Sequence, residues 1–423
     1  MSKTKMTSNP PDHSGPGDGS DHRPELESVA DFERRARSWL AAHGRRRVPG
    51  SNDSLALFPE WERPESATWV DDARMWLTAR HEAGFAGITI SRASGGLGLT
   101  AEHQHAFESA ESEYETAPDE IWAIGHHMVI PAIDRFGTAE QRRRFIVPGL
   151  RGDLVFCQLF SEPDAGSDLA GLRTTARRDG DAWIVDGQKV WTSVAHVAHY
   201  GMLLCRTDPA APKHRGITCF LVPLDSPGVT VRPIRQITGG SAFNEVFLDG
   251  VVVPDELRLG AEGDGWAITR TTLNLERVSL SLAGPNTDPT RLIALARERG
   301  VAGDAVVRQS LADVVTRRRV TELTSARVTD VSRSGGDPGP LASTLKLLST
   351  ELLRTMGHTA ALILGASLVA DTGEWGTYAW GRQILETAGL RIGGGTDEIQ
   401  RNVLAEGILR LPRDPRPATA SEV

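Results

Sequence analysis

The run Leu154-Val-Phe-Cys-Gln-Leu-Phe160 leads into the turn Ser161-Glu-Pro-Asp-Ala-Gly-Ser-Asp168, and here helical periodicity gives way to short strands. Apolar and β-branched residues bounded by Gly, Pro and Asp are typical of strands. Similar β-rich runs follow at Ala182-Trp-Ile-Val185, Gly216-Ile-Thr-Cys-Phe-Leu-Val222, Val229-Thr-Val231 and Glu245-Val-Phe-Leu248. The pairs Asp179-Gly180, Asp186-Gly187 and Asp249-Gly250 separate them, and each pair predicts a turn because glycine accepts a positive φ at little cost.

The sequence on either side of this β-rich region has helical periodicity. The stretch from Phe32 to Ala42 predicts an amphipathic helix that ends near Gly44, and Thr138-Ala-Glu-Gln141 has the spacing of a capping box. Helical periodicity returns near Gly265 and continues to Leu411. The fold class is therefore a multi-domain α+β protein. Its predicted parts are a disordered tail (1–24), a helical domain (25–153), a β-sandwich or barrel (154–258), a helical bundle (259–412) and a loose tail (413–423).

The composition excludes several classes of protein. The chain has 423 residues, 39% hydrophobic and 24% charged, and its net charge of −8 gives no reason to expect nucleic acid. Residues 1–24 lack an apolar core, and no apolar run is long enough for a bilayer, so we expect a cytoplasmic protein without membrane insertion. The three cysteines, Cys157, Cys205 and Cys219, form no CxxC pair, which favours buried thiols over a disulfide or a zinc site.

Motif searches narrow the chemistry further. The sequence has no GxGxxG after a strand, no Walker loop, no HExxH and no GxSxG, so it predicts no Rossmann site, P-loop, zincin or α/β-hydrolase. The adjacent His126 and His127 would point to different faces of a helix and make a poor pair of metal ligands. We therefore expect no metal.

Three polar segments could carry chemistry. Gln158 to Asp168 is a turn rich in hydroxyls and backbone donors, and Gly187-Gln-Lys-Val-Trp-Thr-Ser193 presents an aromatic ring followed by two hydroxyls. Leu390 to Arg401 places three glycines before a helix opened by Thr396 and Asp397, where free N–H groups favour an anion. Taken singly, each is equally compatible with a polar turn, a core tryptophan or an ordinary capped helix.

Taken together, these segments closely resemble the acyl-CoA dehydrogenase family over about residues 31–412. The resemblance also includes Gly239-Gly-Ser-Ala-Phe-Asn-Glu-Val-Phe247, Gly263-Asp-Gly-Trp-Ala-Ile268 and the final run from Arg401 to Pro412. It implies a flavoprotein of lipid metabolism, acting in β-oxidation, that binds FAD and removes two hydrogens from the Cα–Cβ bond of an acyl-CoA. It also implies the order helical domain, β domain, helical bundle.

The resemblance assigns roles to individual residues. Trp191 would lie against the flavin ring, with Thr192 and Ser193 at its rim, and Thr396 to Glu398 would hold the pyrophosphate. The implied FAD contacts are Gln158, Ser161, Gly166, Ser167, Trp191, Thr192, Ser193, Thr396, Asp397 and Glu398. The implied substrate contacts are Ser167, Asn274, Arg277 and Gly394.

The catalytic base is where the sequence departs from many family members. These place a glutamate just before the Gly-Thr of the third segment, where this chain has Gly394. The branch that resembles isovaleryl- and long-chain-acyl-CoA dehydrogenases takes its glutamate from another helix, and Glu276 in Leu273-Asn-Leu-Glu-Arg-Val278 matches that position. The alternative is a solvated glutamate paired with a cation. We predict that Glu276 takes the α-proton while the β-hydride passes to N5 of FAD.

The sequence leaves three functions open. The first is a dehydrogenase that passes electrons to an electron-transfer flavoprotein; the others are a flavin oxidase or monooxygenase of the same fold and a non-catalytic partner subunit. The Arg-x-x-Phe-Gly run that many members extend to a neighbour's FAD is replaced by Ala296-Arg-Glu-Arg-Gly300. We therefore expect a homo- or hetero-oligomer, a dimer or tetramer, in which contacts with FAD across subunits are altered.

Overall fold

The computed structural model describes residues 26–47, 67–117, 119–280, 287–334, 338–369 and 377–412. The predicted tails at 1–24 and 413–423 lie outside these residues. The side chains of residues 274–280 also lie outside the described part, although their backbone is helical.

The N-terminal part is helical, as the sequence predicts. Its helices are α1 (Val29–His43), α2 (Ala67–Glu82), α3 (Ala101–Glu111), α4 (Ile130–Phe136) and α5 (Ala139–Leu150), with a short ladder of β1 (Arg45–Arg46) and β2 (Tyr114–Glu115). Helix α1 ends at the predicted Gly44, whose N–H donates to the Leu40 carbonyl at 2.7 Å. Helix α5 opens with the predicted capping box, because Thr138 and Gln141 each bind the other's backbone N–H through their side chains.

The central part is a sheet of eight strands. They are β3 (Phe156–Leu159), β4 (Thr175–Asp179), β5 (Ala182–Ser193), β6 (Tyr200–Arg206), β7 (Ile217–Pro223), β8 (Val229–Ile234), β9 (Phe243–Pro254) and β10 (Arg258–Leu259). The order is β10-β7-β6-β4-β5-β9-β8, and β3 pairs with β6 in parallel. The predicted strands coincide with β3, β5, β7, β8 and β9.

Only one of the three Asp-Gly pairs makes the predicted turn. Asp179-Gly180 joins β4 to β5, and Gly180 has a φ of +61°. Asp186-Gly187 instead lies within β5 and Asp249-Gly250 within β9, where the register shifts between the paired strands. The Asp186 carboxylate accepts the Gly250 N–H at 2.8 Å across this irregularity. The two pairs therefore face each other in a β-bulge, which tolerates glycine for the same reason that a turn does.

The last part is a helical bundle of α6 (Gly265–Leu280), α7 (Thr290–Glu298), α8 (Ala305–Arg333), α9 (Gly339–Leu364), α10 (Thr377–Ile392) and α11 (Asp397–Gly407). Its core lies between α7, α8, α9 and α10 and includes Leu292, Val314, Leu352, Met356 and Trp380. The stretch Leu341–Val369 is long and apolar enough to cross a membrane by length and composition, and half of its apolar 18-residue window is buried within the chain.

Helix α6 lies where the three parts meet. It packs against β7 of the sheet, against α4 and a π-helical turn (Gly125–Val129) of the N-terminal part, and against α9 of the bundle. The layout of helices, sheet and helices is the predicted one, and α6 is the element that joins all three.

Candidate active site

The first polar segment lies at the end of β3. Gln158 is on the strand and partly buried, Ser161 follows it, and Gly166 and Ser167 are exposed at the tip of the turn. The Ser161 carbonyl accepts the Val190 N–H at 2.9 Å. This bond joins the turn to β5, the strand that carries the second segment, so the structure brings the first two predicted segments together.

A buried ion pair reinforces the same junction. The Lys189 ammonium on β5 is fully buried and lies 2.8 Å from the Glu162 carboxylate of the turn and 3.1 Å from the Phe160 carbonyl. The Glu162 carboxylate also accepts the N–H groups of Arg173 at 2.6 Å and Thr174 at 2.9 Å. Burial alone would raise the pKa of Glu162, but the Lys189 charge and these donors outweigh it and hold the pKa below its usual value. Glu162 is therefore an ionised anchor for the turn.

Glu162 and Lys189 both lie inside the predicted polar segments, but their pairing was not predicted from the sequence. Lys189 stands within the strand Val185 to Ser193, and a lysine that is buried in a strand requires a partner of opposite charge. This was the one local indication of an ion pair.

The second segment presents Trp191 to solvent from an irregular stretch of β5. Trp191 has a φ of +59° and is 58% exposed, with one edge against Phe243. The next residue, Thr192, is buried, and its carbonyl accepts the Asn244 side-chain N–H at 3.0 Å. In the described structure the Thr192 hydroxyl and the Asn244 carbonyl oxygen are buried without a hydrogen-bond partner.

These features fit a flat heterocycle with a polar rim. A positive φ in a tryptophan costs energy and is retained mainly where function requires the side chain in that place. An exposed indole supplies a stacking face, and an unpartnered buried hydroxyl needs a donor or acceptor from another molecule. Ser193 is partly buried beside Trp191. The residues present therefore fit a flavin ring.

The third segment is anchored on α9. The Asp397 carboxylate is buried and accepts hydrogen bonds from Lys346 at 2.9 Å, Thr350 at 3.1 Å and Arg391 at 2.8 Å. Burial by itself would raise the pKa of Asp397, but Lys346 and Arg391 hold it below its usual value. Asp397 thus fixes the start of α11 through internal contacts, and its predicted place beside a pyrophosphate stays a prediction.

The glycine loop before α11 has a left-handed backbone. Gly394 has a φ of +61° and Gly395 of +83°, and the Gln400 side chain donates to the Gly394 carbonyl at 2.9 Å. Thr396 caps α11 by accepting the Ile399 N–H at 3.1 Å, which uses its hydroxyl as an acceptor. Glu398 is exposed in the first turn.

The remaining predicted site residues are on α6. Asn274, Glu276 and Arg277 lie on this helix by their backbone, and their side chains lie outside the described residues. Thr269 and Thr272 on the same helix are fully buried.

The buried state of the cysteines disfavours thiol chemistry. The three cysteines are buried, and burial raises the pKa of each thiol above its usual value. Within the described ranges, no three His, Cys, Asp or Glu side chains are grouped to hold a metal ion.

Comparisons with known proteins match this arrangement over nearly the whole chain. Residues 56–153, 157–251 and 263–409 match the family models of the acyl-CoA dehydrogenase N-terminal, middle and C-terminal domains. The chain is 36% identical over 398 residues to the acyl-CoA dehydrogenase IpdE1 of Mycobacterium tuberculosis, covering 92% of this chain and 99% of that one.

Solved structures show the same fold. The Tcur3481-Tcur3483 steroid acyl-CoA dehydrogenase matches with a TM-score of 0.75 and 27% identity, covering 91% of this chain and 98% of that one. The ChsE4-ChsE5 complex from Mycobacterium tuberculosis matches with a TM-score of 0.72 and 30% identity, covering 92% and 98%.

Proposed function

The chain belongs to the acyl-CoA dehydrogenase family of FAD-binding oxidoreductases, and from this premise we propose that Glu276 is the base that takes the α-proton of an acyl-CoA. The observation that carries the proposal is the position of α6 at the meeting of the three parts of the molecule. Position 276 lies one helical turn beyond Thr272 and two turns beyond Thr269, both fully buried. This helical spacing from two buried positions supports the proposal that Glu276 faces the interior.

The loop before α11 supports the same assignment. Position 394 holds a glycine with a φ of +61° where many relatives carry their base, so this loop supplies no carboxylate there. The Gly394 N–H is the group we assign to the thioester carbonyl, whose polarisation makes the α-proton more acidic. Asn274 and Arg277, on the same helix as Glu276, are the proposed contacts of the CoA arm.

The flavin site is proposed on the β3 turn and β5. Trp191 would stack on the ring, while Thr192 and Ser193 bond its rim and Gln158, Ser161 and Ser167 hold the adjoining polar groups. When bound, FAD supplies the acceptor for the hydride that leaves the β-carbon. This chain's own residues orient the thioester, exclude water and take the α-proton, and we propose an electron-transfer flavoprotein as the subsequent electron acceptor.

The test is the variant Glu276→Gln, which keeps the size of the side chain and removes the base. We expect it to retain bound flavin and to bind a non-reducible acyl-CoA analogue, while reduction of the flavin by substrate under anaerobic conditions falls by several orders of magnitude. Glu298→Gln is the matched control, because Glu298 is exposed on α7 of the same bundle. Near-normal flavin reduction in Glu276→Gln would show that the base lies elsewhere.

A second candidate is a two-subunit enzyme in which a different chain completes the FAD site. The replaced Arg-x-x-Phe-Gly run favours it, and so do two structural neighbours, Tcur3481-Tcur3483 and the ChsE4-ChsE5 complex, whose names give two components each. The flavin content of the chain purified alone, compared with that of the chain co-expressed with a second acyl-CoA dehydrogenase chain, separates the two candidates. The alternative of a flavin oxidase is tested separately. An oxidase uses oxygen as its acceptor, so slow reoxidation of the reduced flavin in air would argue against it.

A further inference from the structure

The glycine loop before α11 is held by a single buried glutamine. Gln400, near the start of α11, is 2% exposed. Its side-chain Nε2 donates to the Gly394 carbonyl at 2.9 Å and lies 3.4 Å from the Gly395 carbonyl. The loop itself is only partly buried. One amide therefore restrains two successive peptide units of a loop that is otherwise accessible.

The loop needs such a restraint because three of its residues in succession are glycines. Glycine populates positive and negative φ about equally, so the backbone of Gly394 and Gly395 does not choose its own direction. On the α10 side the loop is fixed, because the Gly393 N–H donates to the Gly389 carbonyl at 2.9 Å. On the α11 side it is fixed by Gln400. The peptide unit that carries the Gly394 N–H lies between these two points, and its direction depends on both.

The glutamine is itself firmly placed. One turn earlier in α11, the buried Asp397 carboxylate accepts hydrogen bonds from Lys346 and Thr350 of α9. Helix α9 also packs against α6, the helix that carries Glu276. The amide of Gln400 is therefore fixed to the same framework as the proposed base, which is the arrangement that holds a reacting group in a defined position.

Stability alone does not explain a glutamine at this position. Its side-chain Oε1 is buried and has no hydrogen-bond partner in the described part of the chain. A buried acceptor without a partner costs stability, and an apolar side chain of the same shape would avoid that cost. The amide also restricts the loop, since a Cβ on Gly395 would lie 2.7 Å from its Nε2. The effect that remains to Gln400 is on the direction of the loop.

We propose that Gln400 is a positioning residue for the dehydrogenation. Its amide holds the loop so that the Gly394 N–H stays directed at the thioester carbonyl of the acyl-CoA. Gln400 acts through the loop and contacts neither the substrate nor the flavin. This inference rests on the proposed dehydrogenase function.

The test is Gln400→Met, which keeps an unbranched side chain of similar length and removes the donor. The holoenzyme, with its partner subunit where one is needed, is mixed anaerobically with saturating acyl-CoA. We expect the rate of flavin reduction to fall roughly ten- to a hundredfold, less than the loss of a whole oxyanion donor. The affinity for a non-reducible β-thia acyl-CoA should change less than about threefold, because the bond to the carbonyl strengthens mainly as negative charge develops on it.

A second measurement separates positioning from a merely structural role. Isotope-edited infrared spectroscopy of the bound analogue, with a ¹³C-labelled thioester carbonyl, reports how strongly the enzyme polarises that carbonyl. A polarised carbonyl absorbs at lower wavenumber. We expect the band to move in Gln400→Met toward its position in the free analogue.

The matched control is Gln383→Met on α10. Gln383 is also fully buried, and neither atom of its amide has a hydrogen-bond partner in the described structure, so the same substitution there releases no loop. It should leave the rate and the carbonyl band as in the parent chain.

A second variant disturbs the same contact and leaves Gln400 in place. In Gly395→Ala the new Cβ would displace the amide, and we expect a slower flavin reduction and a shift of the band in the same direction. Its control is Gly393→Ala, where a Cβ meets its nearest atom, the Gly389 carbonyl oxygen, at an ordinary 3.4 Å. If Gln400→Met does not fold, this pair decides by the same two measurements.

Three outcomes would count against the inference. A parental rate with a parental band in Gln400→Met would overturn the positioning role. A band that stays in place while rate and analogue binding fall together would also overturn it, because a structural tie gives that pattern. Both results leave the dehydrogenase intact. Absence of flavin reduction by any acyl-CoA in the parent enzyme would overturn the proposed function and this inference with it.

Discussion

Removing Lys189 tests how far the flavin turn depends on its buried ion pair. The Lys189 side chain is 0% and that of Glu162 7% exposed, and their charged atoms lie 2.8 Å apart. In Lys189→Met, Glu162 keeps its two backbone donors but loses its counter-charge. Removing one member of a buried pair typically costs about 3–5 kcal/mol, because the remaining charge stays desolvated. We expect a loss of stability in this range, moderated by protonation of Glu162.

The double variant Lys189→Met/Glu162→Gln makes the interpretation specific. Glutamine carries no charge and keeps one oxygen, which can accept from only one of the Arg173 and Thr174 N–H groups, so we expect it to recover part of the loss. Urea unfolding monitored by circular dichroism gives the free energies of unfolding. The amount of flavin released on dilution shows how firmly the turn between β3 and β4 holds the flavin. The single variant should lose flavin more readily, since the pair joins the turn to β5.

Two results would refute this reasoning. One is a single variant within about 1 kcal/mol of the parent chain, which would mean that water reaches Glu162. The other is a double variant no more stable than the single one, which would assign the loss to packing of the lysine stem and not to charge.

Two further predictions concern Asp397 and His126. Asp397→Asn should lower the free energy of unfolding by about 3–5 kcal/mol, because Lys346, which is 4% exposed, loses its counter-charge. The control is Glu398→Gln at the exposed neighbouring position. It should change the free energy of unfolding by less than about 0.5 kcal/mol in the same urea titration. The pKa of His126 is about 4 in the folded chain, against 6.5 in the unfolded chain. The folded state therefore disfavours the charged imidazole, and the full stability is present above pH 6.5. A contribution on the order of 3 kcal/mol is lost as the pH falls from 6.5 toward 4. Unfolding measured across that range should be less pH-dependent in His126→Gln, and an unchanged slope would contradict the assignment.

The order of domains could be predicted from the sequence because periodicity is a local property. Helix α1, the capping box of α5 and most strands follow from the spacing of apolar residues and the chemistry of helix ends. Strand β6 was missed because Tyr200-Gly-Met-Leu-Leu-Cys-Arg206 is nearly all buried and shows no alternation, which does not distinguish a central strand from a buried helix. Asp186-Gly187 and Asp249-Gly250 were wrongly predicted as turns, because pairing between distant strands makes them part of a β-bulge.

The site was predictable only as separate segments. Local sequence indicated a polar turn and an aromatic strand, but the bond from Val190 to Ser161 and the pair of Lys189 with Glu162 join residues 27 or more positions apart. Such contacts depend on strand register, and a shift of one residue reverses every side chain. For the same reason, nothing in the local sequence indicated that Arg80 lies close enough to His126 to lower its pKa.

This chain has Gly394 where many family members carry their base, and its proposed base lies on α6. The backbone of the glycine loop offers one physical explanation for both features. Gly394 and Gly395 both adopt a positive φ, and a side chain at such a position costs about 1–2 kcal/mol. A Cβ on Gly395 would also lie 2.7 Å from the Gln400 amide, which holds the loop by donating to the Gly394 carbonyl. A loop built in this way presents backbone N–H groups well and a carboxylate poorly. This is consistent with our proposal that the loop polarises the thioester carbonyl and that a side chain of α6, the helix that reaches all three parts of the molecule, removes the proton.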